Sequence, residues 1–185
     1  RIICAGDAPG VEVMGKSGVA HDFKSQLDYS QSMSDEHFWD AIYRKAFPDM
    51  LWHKTTGGDN GAQRSGVDRI ILLSSGEIIR VDEKKRRKDY PDILLEYVSS
   101  DNRNTPGWIE KDLRIDYLAY AFMPSQRVYL FPWLMLRRAW GKYKNAWIKK
   151  YGRVQANNGI YKTISVGVPI NELRRAVSSA CIIQL

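Results

Sequence analysis

Asp68 and Asp82 stand at the two ends of a stretch that folds back on itself, and Lys84 follows the second acid by two residues. Paired carboxylates, with the backbone carbonyl of Glu83 between them, are the hard oxygen donors that Mg2+ prefers. Side-chain direction repeats every two residues along a strand, so Lys84 projects on the face that carries Asp82. There an ammonium can orient or help deprotonate a water while a metal stabilises charge on a phosphoryl oxygen. The chemistry expected of such a set is phosphodiester hydrolysis with Mg2+ or Mn2+ as cofactor. Directly beyond lies Lys84-Lys85-Arg86-Arg87-Lys88. Lys85, Arg86, Arg87 and Lys88 are expected to hold backbone phosphates at the mouth of such a site.

Two strands must position these groups. Arg69 to Leu73 and Glu77 to Val81 are β-branched or aliphatic and flank Ser74-Ser75-Gly76, which reads as a short hairpin loop. Upstream, Ser34 caps a helix running to Ala46, with Phe38, Trp39, Ile42, Tyr43 and Ala46 on its apolar side and Pro48 beyond its end. Met50 to Trp52 is a short strand, and Thr55 to Gly66 a polar loop. Downstream, Ile93 to Val98, Tyr117 to Phe122 and Arg127 to Phe131 read as strands, the last two joined by Met-Pro-Ser-Gln. Trp133, Leu136, Trp140, Tyr143, Trp147 and Tyr151 recur at spacings of three and four, which predicts a helix from 133 to 151 with an aromatic core face. Its Arg and Lys residues form either a solvated exterior or a face that tracks phosphates. A strand from Lys162 to Val168 and a helix from Pro169 to about Ala180 complete the chain.

The Asp68 to Lys85 stretch resembles the PD-(D/E)XK nuclease superfamily, in which an acid opens one strand and an apolar residue, then acid-x-Lys, ends the next. The resemblance implies an α/β fold with a central mixed sheet flanked by helices, restriction-endonuclease-like, and a metal-dependent nuclease acting on nucleic acid, with DNA favoured. It places metal-ligand acids on Asp68 and Asp82, the lysine on Lys84, and a metal-facing carbonyl on Glu83. Val67 stands where the family has proline. A second register, Glu83-x-Lys85, points to the opposite face; Asp82/Lys84 is preferred because the apolar Val81 precedes the acid. Glu36, on the helix before the sheet, and Glu96, on the next strand, are further acids that some members would use.

Other readings compete. An Asp-Glu-Lys-Lys run at a strand end is also what a solvated exit into a loop looks like. Gly10 to Ser17 matches the Walker A phosphate-binding octet, but only the thin run Ile2-Ile3-Cys4 precedes it, and Glu12 would repel phosphate. His21, His37 and His53 lack metal-ligand spacing and read as structural.

Composition bounds the rest. The 185 residues are 44% apolar and 26% charged, the balance of a folded chain and not of a disordered tail. No window holds the roughly 18 apolar residues of a membrane span. Residues 1–31 are expected to form an irregular arm and 32–185 one nuclease-like domain. Arg1 to Gly6 lack the apolar stretch of a secretory signal, and Cys4 and Cys181 form no disulfide framework, so an intracellular, cytoplasmic setting is expected. Twenty-eight basic against 21 acidic residues leave a charge of +7, which favours polyanionic partners. A homodimer is compatible with so small a nuclease, though no heptad seam selects it. The alternative from another class is a basic nucleic-acid-binding protein without catalysis.

Overall fold

A computed structural model describes residues 3–4, 36–57, 65–177 and 181–185. Strand β1 (Ile3–Cys4) precedes helix α1 (Glu36–Ala46), β2 (Met50–Thr55), β3 (Arg69–Leu73) and β4 (Ile78–Arg86). Then come β5 (Asp92–Ser100), β6 (Thr105–Pro106), a 3-10 turn (Trp108–Glu110), β7 (Tyr117–Phe122) and β8 (Arg127–Pro132). Helix α2 (Trp133–Tyr151), β9 (Val154–Asn157), β10 (Lys162–Pro169), α3 (Ile170–Ala176) and β11 (Cys181–Gln184) follow. The Walker-like octet, the arm apart from β1, Ser34 and His21 lie outside the described residues.

The fold is α/β, with a mixed, curled main sheet. Its strands run β11-β8-β7-β4-β3-β2, and β1 pairs with β4. The β3–β4 hairpin is antiparallel, whereas β4 and β7 run parallel, in register from Val81↔Tyr117 to Arg86↔Phe122. One apolar cluster packs Trp39, Ile42 and Tyr43 of α1 against Ile71, Val81, Ala119 and Leu130. The other packs Leu118, Tyr120 and Phe131 of the opposite face against Trp133, Leu136 and Trp140 of α2 and Ile93 and Leu95 of β5. The aromatic stripe of α2 is therefore its core face, as its periodicity requires.

Two features differ from the sequence expectation. The apolar run Ile93 to Val98 does not enter the main sheet. As β5 it joins a second, four-stranded sheet, β6-β5-β10-β9, and the parallel crossover from β4 to β7 passes through it. An apolar run marks burial but does not say which sheet does the burying. The charged run after Val81 is likewise no exit into a loop. Strand β4 continues to Arg86, because β7 pairs with it to that point and β1 lies against Lys84 and Lys85. No described helix is long and apolar enough to cross a membrane.

Candidate active site

The inner half of β4 buries five consecutive charged residues, Asp82, Glu83, Lys84, Lys85 and Arg86. Charge in so dry a place is costly unless each group finds a partner. Strand geometry divides them between two faces.

On one face the Lys84 ammonium is hydrogen-bonded to Asp82 Oδ1. Asp82 is 1% exposed and Lys84 4%. Burial pushes the Asp82 carboxyl above its ordinary range, against the pull of Lys84. Asp68 joins from the head of β3. Its backbone N–H donates to Val81 O (2.9 Å), and its Oδ2 accepts the Glu83 N–H (2.9 Å), so its two bonds bracket Asp82. From behind, the Thr56 N–H donates to Asp68 O at 2.9 Å. The start of one strand and the end of its neighbour thus meet as the hairpin demanded.

The second sheet adds Glu96 to this side. Its carboxyl, 6% exposed, is pushed up by burial and pulled back by the charges of Lys84 and Lys111. The Ser99 side chain and the Trp108 backbone also pull it down, while the buried Oε1 has no hydrogen-bond partner among the described residues. A side chain at Gly107 would meet Glu96 O at 2.3 Å, so only glycine lets the 3-10 turn press this closely on β5. Lys111, at the end of that turn, also acts on Asp82. Nothing in the sequence singled it out: it sits in an irregular stretch whose placement depends on the turn.

The opposite face is a different object. Glu83 Oε1 accepts from Arg69 Nε (2.6 Å) and from the Tyr43 hydroxyl (3.0 Å). Arg69 Nη1 also donates to Glu36 Oε1 (3.0 Å) and lies 2.8 Å from His53 Nδ1. A guanidinium only donates, so Nδ1 is the acceptor and the ring proton sits on Nε2, 3.2 Å from Asp40 Oδ1. Burial raises the Glu83 carboxyl and opposes Arg69's charge, yet the Glu83 carboxylate still holds Arg69 above its ordinary value. Tyr43 is raised well above the ordinary phenol range by burial and then by Glu83. Sequence reasoning missed Arg69. Its signal was a lone charge at the head of an apolar strand, in phase with the buried Ile71 and Leu73.

Asp82 and Lys84 are therefore paired, the Asp68 carboxylate is bonded to the adjoining Glu83 N–H, and Glu96 feels the charge of Lys84. Glu36 is held on the α1 side by Arg69, and Glu83 turns its carboxylate the same way, leaving only its backbone toward the acids. The run expected to hold phosphates is largely buried. Lys85 (4% exposed) lies inside the sheet, and Arg86 donates to the Tyr120 hydroxyl at 3.1 Å and lies over the Tyr90 ring. Arg87 is half-buried, and of the run only Lys88 is exposed. Among the described residues, no three His, Cys, Asp or Glu side chains gather in a way that could hold a metal. No family model, curated protein or solved structure matches the chain.

Proposed function

We propose that the chain is a divalent-metal-dependent phosphodiesterase acting on DNA, built on a restriction-endonuclease-like variant of the α/β plan. One observation supports the reading: Asp82 and Lys84 pair at the dry centre of the sheet, with the Asp68 carboxylate on the adjoining Glu83 N–H, where a chain with no use for them would place apolar residues. Such a placement trades stability for chemistry.

The donor set suits Mg2+ or Mn2+: Asp68 and Asp82 would hold the ion, with the backbone carbonyl of Glu83. Two carboxylates and a carbonyl are all oxygen, and the Glu96 Oε1 behind them has no hydrogen-bond partner among the described residues, which fits a polar ligand there. The bound ion would supply Lewis-acid stabilisation of the phosphoryl oxygen. Lys84, held by Asp82 with Glu96 behind it, would orient the attacking water by donating a hydrogen bond to it. The Arg69–Glu83 pair fixes the residues that immediately follow Asp68 and Asp82, so it positions both acids without touching substrate. The test is conversion of supercoiled plasmid by the full chain with Mg2+ or Mn2+, and its loss on chelation.

A second reading has its own support. Asp82 is already neutralised by Lys84, and neither is open to solvent, so a phosphate reaches them only if covering elements move. A nucleic-acid-binding protein that does not cut predicts DNA binding with no cleavage under either metal.

A further inference from the structure

We propose that the outward face of α2 is the surface that carries a nucleic-acid duplex, along the stripe Arg138, Gly141, Lys142, Asn145 and Lys149. The inference rests on the reading of the chain as acting on DNA, and it moves the phosphate contacts away from residues 84–88, which are mostly buried.

At 100° per residue these five positions fall within a sector about 100° wide. They lie opposite Trp133, Leu136, Trp140 and Trp147, which bury the helix against the sheet. All five are exposed. Helix α2 carries six cations and no acid. Three are engaged: Arg137 donates to the Lys111 carbonyl, Lys144 pairs with Glu110, and Lys150 pairs with Glu172. Arg138, Lys142 and Lys149 have no ion pair among the described residues. From Arg138 to Lys149 the helix advances about 16 Å, along which a parallel duplex presents about ten phosphate charges.

Gly141 supplies the second observation. A glycine in a helix interior costs stability relative to alanine and usually has a packing reason. Here there is none, because a Cβ at Gly141 would meet nothing within 4 Å. A bare backbone between two cations lets another backbone come close. The stripe also leads to the acids. Arg137, beside Arg138, is bonded to Lys111, whose charge acts on both Asp82 and Glu96. An anionic membrane is the poorer occupant, since the exposed Leu134 at the head of the stripe is its only large apolar side chain.

The test is fluorescence anisotropy of the full chain with two unrelated labelled 25-base-pair duplexes, in EDTA, across a salt series. Arg138→Gln/Lys142→Gln/Lys149→Gln is expected to weaken binding on the order of a hundredfold at 0.1 M salt and to lower the log–log salt slope by about 2.7, equally for both sequences. Gly141→Gln is expected to weaken binding several-fold while the melting temperature does not fall. A control with the same charge change at three exposed positions off the stripe, Lys54→Gln/Arg103→Gln/Lys162→Gln, is expected to stay within about threefold of wild type. Unchanged affinity and slope in the stripe variant, an equal loss in the control, or a loss confined to phosphatidylserine vesicles would overturn the inference. The nuclease reading fails separately: wild type that binds through the stripe but never cuts with Mg2+ or Mn2+ sinks that reading and leaves this one standing.

Discussion

The two faces of β4 bury charge in opposite ways. On the α1 side, Glu83, Arg69, Tyr43, Glu36, His53 and Asp40 form a continuous net in which one charged group satisfies the next and which ends at the surface. On the α2 side, Asp82 and Lys84 form a short pair next to Glu96, whose Oε1 has no hydrogen-bond partner among the described residues. A satisfied net holds a fold; an unfinished cluster at equal depth is what a binding or catalytic site looks like before its ligand arrives. The two faces differ in how charge is paired and not in how deeply it is buried.

The largest expected effect breaks the net. Arg69→Met leaves the Glu83 carboxylate buried without its cation and should destabilise the protein by about 3–5 kcal/mol, measured by urea unfolding. Adding Glu83→Met should recover only part of the loss, because Tyr43, Glu36 and His53 also lose a partner. The other face should behave as a simple pair. Asp82→Val removes the acid bonded to Lys84 and should cost about 2–4 kcal/mol, and Asp82→Val/Lys84→Met should regain most of it while showing no cleavage. If the second pair fails to recover, the two faces do not differ in the way described.

Gly107→Ala probes how the second sheet delivers Glu96. Its Cβ would strike the Glu96 carbonyl, so a loss of about 1–3 kcal/mol in thermal or urea unfolding is expected. Glu96→Gln gives the smallest effect and has a pH signature. Burial raises the folded carboxyl's pKa above its unfolded value. The unfolded chain therefore loses this proton first as pH rises, and stability declines from about pH 4.5 until the folded carboxyl also ionises. The glutamine variant lacks that decline. Its advantage in urea midpoint should grow between pH 4.5 and pH 8, to an amount on the order of 1 kcal/mol.

Local order was legible where one period dominated. Helix α2 runs over the residues that the three-and-four spacing of its tryptophans and tyrosines marks, and Tyr117 to Phe122 is a strand from end to end. The β3–β4 hairpin was readable from its aliphatic arms. What the sequence hid was pairing at a distance. Strands β9 and β11 are four residues each and lack a long apolar run, and β5 carries a strand signature that does not name its sheet. In the site, the face shared by Asp82 and Lys84 follows from a period of two. The partners Arg69, Tyr43 and Lys111 do not, because each is brought in by a separate element. The basic run misled for the same reason: charge suggests solvent, and only the neighbouring strands show that β4 stays inside the sheet to Arg86.

The most direct test compares two neighbouring acids on opposite faces. Supercoiled plasmid is incubated with Mg2+ or Mn2+ and wild type, Asp82→Asn or Glu83→Gln, each variant first shown to be folded by its melting curve. The account predicts cleavage by wild type that chelation abolishes, a loss of at least about a thousandfold in Asp82→Asn, and retained though weakened cleavage in Glu83→Gln. Full metal-dependent activity in Asp82→Asn, or a dead Glu83→Gln beside an active Asp82→Asn, would contradict it.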